Sequence, residues 1–262
     1  MTTATLRPAL AALLLAAAGL GAQDRPIRVL VLTGQTDPSH KWRETMPVLR
    51  DILGKSGRFE VAVTEQPGAL TAAAVARYDV LVMHYNGPRL GAPAERAIEE
   101  FVRGGKGLLS LHGVSYGPFF GLELKGRRWE PTAEGAWEAW PELLGATWKP
   151  ENIGHGARHA FQVKWVDREH PISRGLGPGF QADDELYHRI DLRPNARVVA
   201  AAYSDPSTRG TGDEEPIVWT VPFGSGRTVH ITLGHDPAAL SKPGVAAAVA
   251  RAAEWAATGD VR

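Results

Sequence analysis

Nine histidines, twenty-nine Asp and Glu side chains and no cysteine set the chemistry open to this 262-residue chain. Without a thiol there is no disulfide, thiolate-bound metal, iron–sulfur cluster or cysteine nucleophile. Imidazole and carboxylate remain, the donors of zinc-type centres that keep a position open for water or substrate and the groups that move protons near neutral pH. Four histidines recur at one kind of place. His40 lies beyond Thr33-Gly34, His84 closes Tyr78–His84, His112 follows Gly107–Leu111, and His235 follows Thr228–Leu233. Any one of them alone is more often a satisfied structural histidine; the shared position raises the set above its members. His155 and His159 form an i,i+4 pair, but the glycines at 154 and 156 argue against the helix that would make it a chelate. The run Asp183-Asp-Glu-Leu-Tyr-His188 gathers three acids, a phenol and an imidazole. If extended, it puts Asp183, Glu185 and Tyr187 on one face and Asp184, Leu186 and His188 on the other. A solvated acidic loop with an arginine-paired carboxylate is the other reading of the same run.

The positions of the histidines depend on strands. Ile27–Leu32 is a continuous apolar run, as a strand buried on both faces requires. A helix from Trp42 to Leu53, a strand over Phe59–Thr64, a short helix over Thr71–Arg77, a strand over Tyr78–His84, a helix over Ala94–Arg103 and a strand over Gly107–Leu111 follow. This alternation predicts a parallel sheet covered by helices, with ligands bound beyond the carboxyl ends of the strands. From Gly121 to Gly154 the rhythm breaks, and Trp129, Trp137, Trp140 and Trp148 fall there, either as a packed excursion or as an aromatic wall for a sugar ring. Strand character returns at His159–Val166, Val198–Tyr203, Ile217–Val221 and Thr228–Leu233, and Pro237–Thr258 reads as one closing helix.

Composition excludes several functions. Hydrophobic residues at 44% and charged ones at 22% describe a folding chain, and a formal net charge of zero gives no general pull toward nucleic acid. No G-x-x-x-x-G-K-[ST] loop occurs, and no nucleotide or flavin is expected. Ser110, inside a strand, is a poor nucleophile. Met1–Ala22 has one basic residue, an Ala/Leu run from Ala9 to Leu20 and a small-residue exit. That pattern predicts a secretory leader cut near Ala22, export to the periplasm or exterior, and a single α/β domain over 23–262 with no membrane span.

Several stretches together resemble the trehalose-utilisation (ThuA-like) family: Gly105-Lys-Gly-Leu-Leu-Ser-Leu-His-Gly113, His170-Pro-Ile-Ser-Arg-Gly-Leu176, Asp184-Glu-Leu-Tyr-His188 and Gly226-Arg-Thr-Val-His-Ile-Thr-Leu-Gly-His-Asp236. The likeness runs over roughly 27–257. It implies a class I glutamine amidotransferase-like fold: a flavodoxin-like, doubly wound, mostly parallel sheet, here with an inserted Trp-rich excursion and a partly antiparallel C-terminal edge. True amidotransferases carry a cysteine nucleophile after the strand that reads Gly107–Leu111 here; His112 stands at about that place, so their reaction does not carry over. The resemblance implies carbohydrate catabolism, with a small-molecule sugar, a 3-keto disaccharide or glycoside, as partner. It maps the pocket onto His40, His112, Glu185, Tyr187 and His235. The leading expectation is a divalent metal, zinc favoured, on His112, Glu185 and His235, with His40 or Tyr187 moving a proton in an isomerisation or eliminative cleavage. His84, His155, His159, Asp184, His188 and Trp148 are the expected substrate contacts. A non-catalytic sugar-binding domain and a plain glycoside or ester hydrolase are the rival readings.

Overall fold

The computed structural model describes residues 25–34, 38–126, 128–149 and 154–262. The expected leader, Met1–Ala22, lies outside them. The chain opens with β1 (Ile27–Gly34), α1 (Trp42–Gly54), β2 (Phe59–Thr64), α2 (Ala72–Val75), β3 (Val80–Tyr85), α3 (Ala92–Arg103) and β4 (Gly107–Leu111). After α4 (Trp140–Leu144) come β5 (His159–Trp165), β6 (Gly179–Asp184), β7 (Arg197–Tyr203), β8 (Glu214–Phe223) and β9 (Gly226–Ile231), then α5 (Pro237–Leu240) and α6 (Pro243–Thr258). These nine strands form one sheet, in the order β6-β5-β7-β8-β9-β4-β3-β1-β2. The run β2-β1-β3-β4-β9 is parallel throughout and has the flavodoxin-like order; β8, β7, β5 and β6 extend it by antiparallel pairing.

Period-two alternation divides the parallel strands between two cores. Val29, Val31, Val80, Val82, Leu109 and Leu111 pack with Met46, Leu49 and Leu53 of α1 and Val245, Val249 and Ala252 of α6. Leu30, Leu32, Leu81, Met83 and Leu108 face the other way, onto Ala94, Ile98 and Phe101 of α3 and onto Trp137 and Trp140. Burial on both faces explains why these strands read as unbroken apolar runs.

Two elements differ from the sequence expectation. The closing helix is two helices, because Pro243 forces Lys242 out of helical geometry, to ψ 128°. Gly179–Asp184 is an edge strand paired with β5 alone, and its polar sequence lacks the apolar run of an inner strand. The Trp-rich excursion packs for the most part. Trp137, Trp140 and Trp148 are buried, and the excursion also forms a hairpin from Leu122–Lys125 and Arg128–Pro131. Among the described residues no helix is long and apolar enough to cross a membrane.

Candidate functional site

A cleft of about 650 Å³ is lined by residues that follow β1, β3, β4 and β9, by the excursion, and by the segments carrying His155 and Glu185. Its lining includes His40, Asn86, Gly113, Tyr116, Trp129, His155, Glu185, Tyr187 and His235. Three imidazoles gather here. The ring centroids of His40, His112 and His235 form a near-equilateral triangle with sides of 5.0, 5.2 and 5.2 Å.

His112 leaves β4 with φ 49°, a left-handed turn that costs a non-glycine residue about 1–2 kcal/mol and is kept only where the surroundings fix it. What fixes it is a 2.7 Å hydrogen bond between its Nδ1 and the carbonyl of Thr232. A carbonyl only accepts, so Nδ1 carries the proton. Burial, then the neighbouring His40, holds the pKa of this ring well below the usual value, so it is neutral and Nε2 presents a lone pair. Two groups approach that lone pair: the Tyr187 hydroxyl at 2.9 Å and His235 Nδ1 at 3.2 Å. Gly113 admits this crowding. A Cβ there would lie 2.0 Å from Asn86 Nδ2 and 3.0 Å from His40 Nε2.

His235 is aimed by Gly234, whose φ of 121° suits glycine and whose N–H donates to Asp184 Oδ2 at 2.7 Å. Glu185 Oε2 lies 3.3 Å from His235 Nδ1 and 3.7 Å from His112 Nε2, while Oε1 lies 3.7 Å from His155 Nε2. Burial pulls the Glu185 pKa upward, but the His235 contact and the surrounding imidazoles outweigh it, so the group stays a carboxylate. The same contact raises the pKa of His235. Burial, then Tyr116 and Glu185, pushes the Tyr187 phenol well above its ordinary value. Tyr187 is therefore a standing hydrogen-bond donor and not a base.

The expected metal set is His112, Glu185 and His235, with His40 or Tyr187 moving protons. In the structure the converging nitrogens belong to His40, His112 and His235, one ligand atom of each lying within 4.8 Å of the others, and Glu185 stands beside them. His40 thus stands with the three expected ligands, whose own donor atoms lie 3.2, 3.3 and 3.7 Å apart. The donors fit a zinc-type ion: tetrahedral ligands at 2.0–2.1 Å sit about 3.3 Å apart, and His112 Nε2 and His235 Nδ1 are already 3.2 Å apart. The Thr232 carbonyl plays the outer-shell part that fixes a ligating imidazole.

The expected contacts divide. His155 lines the cleft. His84 does not; Thr33 Oγ1 at 2.9 Å and Thr45 Oγ1 at 3.0 Å occupy its two nitrogens, and burial lowers its pKa to about 4. His159 turns Nδ1 to the carbonyl of Ala157 at 2.8 Å and packs on Phe161. His188 sits in a two-residue strand opposite Gly154, outside the cleft lining. Asp184 is buried and spends both oxygens on backbone N–H groups, those of Glu185 and Gly234. Trp148 is buried edge-on behind Trp129, and Trp129 is the tryptophan that lines the cleft. Sequence reasoning missed Asn86, Tyr116 and the Thr232 carbonyl; Asn86 follows β3 directly, a position of the same kind as those of the histidines. Ser110, set aside as a nucleophile, is buried with its hydroxyl 2.8 Å from His230 Nδ1.

The strand order and a cleft at the carboxyl edge define a flavodoxin-like α/β protein with an imidazole-rich site. This chain belongs to the trehalose-utilisation (ThuA) family, whose sequence model matches residues 28–256, and the family places it in carbohydrate utilisation. A ThuA-like protein from Parabacteroides merdae is 30% identical, with a TM-score of 0.72 over 90% of this chain and 92% of that one. A ThuA-like protein from Bacteroides uniformis is 17% identical, with a TM-score of 0.68 over 91% and 96%. A β-galactosidase from Rahnella shares the fold alone, at 14% identity and a TM-score of 0.53, over 87% of this chain and 30% of that one. No curated protein matches the chain.

Proposed function

We propose that this protein is an exported, metal-dependent enzyme of carbohydrate utilisation that acts on a keto-sugar glycoside by proton transfer. The observation that carries the reading is the 3.2 Å separation of His112 Nε2 and His235 Nδ1, with His40 closing the triangle and the His112 tautomer already set. A bound divalent ion, zinc by the donor set, supplies Lewis-acid polarisation of the sugar carbonyl. Glu185, an ionised carboxylate at the edge of the trio, takes the proton from the carbon alpha to that carbonyl. Tyr187 keeps its phenolic proton and donates a hydrogen bond to the oxygen where negative charge grows. Returning the proton to the former carbonyl carbon, with a hydroxyl proton passing between the two sugar oxygens, isomerises the sugar; breaking the bond from the beta carbon to the glycosidic oxygen, which leaves with the proton held by Glu185, cleaves it. His155, 3.7 Å from Glu185, is placed to relay the proton outward. Trp129 offers its ring as a sugar platform. The composition of residues 1–22 supports export.

Two measurements test this. Zinc content of the purified protein should approach one equivalent and fall with His40→Ala and with His235→Ala. Product should form from a 3-keto-glycoside and not from the unoxidised glycoside. Turnover of both sugars would favour hydrolysis, and binding without turnover a recognition module.

A further inference from the structure

Arg158 lies three residues beyond His155, and no step above uses it. Its guanidinium takes both oxygens of Asp236, the residue after His235, through Nη1 and, at 3.3 Å, Nη2. It also reaches Asp183 Oδ1 at 3.3 Å through Nε and the Asp183 carbonyl at 3.2 Å through Nη2. His235 therefore stands between two ties. On one side Gly234 N–H donates to Asp184; on the other Asp236 is gripped by Arg158. Both ties run to the residues just before Glu185. His235 and Glu185 thus hang on two segments stitched together at two points, and Arg158 is the outer stitch, supplied by a third segment.

We propose that Arg158 is the positioning residue of the imidazole centre: it holds the His235 and Glu185 segments at the spacing that metal binding needs. The inference rests on the metal reading above. The side chains of Arg158, Asp183 and Asp236 are 34%, 42% and 32% exposed, so these ion pairs contribute little to global stability. Their effect falls on the local geometry, where outer contacts of ligands set affinity. Asp236 also caps α5 by accepting the Ala239 N–H at 2.8 Å, so the test is made at Arg158. Electrostatics alone predicts the opposite outcome, since removing a nearby positive charge would strengthen binding of a cation.

The experiment measures zinc affinity by competition with a chromophoric chelator, for wild type, Arg158→Gln and Arg158→Lys, at low and high salt, alongside melting temperature. The expected result is about 10- to 100-fold weaker binding for Arg158→Gln. Arg158→Lys should lie between it and wild type, because a single ammonium cannot span two carboxylates and a carbonyl. High salt should weaken binding in wild type and leave Arg158→Gln unmoved, with melting temperatures within about 2 °C of one another. Affinity equal to or above wild type for Arg158→Gln, or a melting temperature that falls with affinity in both variants, overturns the inference and leaves the metal reading standing. Failure of the wild type to take up zinc overturns both.

Discussion

The two ends of the parallel strands treat their polar groups in opposite ways. At the amino end, ahead of β3, Asp79 accepts from Arg25 at 2.7 and 2.8 Å, from the Arg28 N–H at 2.9 Å and from Lys106 at 3.2 Å. Burial alone would raise its pKa, yet these partners hold it below the ordinary carboxylate range. At the carboxyl end one lone pair, on His112 Nε2, has two suitors, and one carboxylate, Glu185, faces three imidazoles. The first arrangement is closed, with each charge answered by its neighbours. The second over-subscribes its acceptors, and a cation would resolve the competition. A fully satisfied buried network fixes structure; an unresolved one at a cleft is where a ligand finds binding energy.

Substitutions at the two ends should separate function from stability. His235→Ala should weaken zinc binding at least about 100-fold while costing under about 1 kcal/mol of unfolding free energy, because the side chain is still 22% exposed. Chelator competition and urea denaturation read the two effects. Asp79→Asn should do the reverse, costing about 2 kcal/mol of stability as charge-assisted hydrogen bonds are lost, with zinc affinity changed less than about 2-fold. A variant that moved both quantities together would erase the distinction between the ends.

Much of this was legible in the sequence, and what was not had to wait for contacts between distant segments. The parallel strands announced themselves because both faces are covered. β6 did not, because an edge strand with one partner can be polar. His112 and His235 followed from the rule that sites lie beyond the carboxyl ends of strands. His84 obeys the same rule and fails, since the β1–β3 register sets Thr33 beside it and α1 brings Thr45 onto its other nitrogen. Which group completes the trio was equally hidden: Glu185 and His40 both reach it through loops whose paths a one-dimensional pattern does not record. Trp129 and Trp148 look alike in sequence and differ only in which covers the other.

Acid should also tell the ends apart. The folded pKa of Asp79 is depressed, so its contribution is present above the unfolded value of about 3.9 and is lost as pH falls through the lower folded value. His235 is shifted the other way, by Glu185, so its contribution to the metal-free fold is complete below about 6.5 and is lost as pH rises through the raised folded value. A ligating imidazole must be neutral, and zinc affinity should therefore fall about 10-fold per pH unit once the pH is below that folded value. Titration calorimetry in buffers of different ionisation enthalpy should show about one proton released per zinc in that range. Retained zinc affinity at pH 5 would place the ligand nitrogen elsewhere.

The smallest effect bears most directly on competition for the His112 lone pair. Tyr187 donates to Nε2 at 2.9 Å, the atom an ion would take, so each metal-binding event must first release this hydrogen bond. Tyr187→Phe removes the competitor and should strengthen zinc binding by about 3-fold, near 0.6 kcal/mol, the low end of a net hydrogen bond. Catalysis should move the other way, because the released phenol is the donor to the sugar oxygen. A Phe variant that bound zinc more weakly would mean that Tyr187 helps to hold the ion and does not vie with it, and the carboxyl end would then be as closed a network as the amino end.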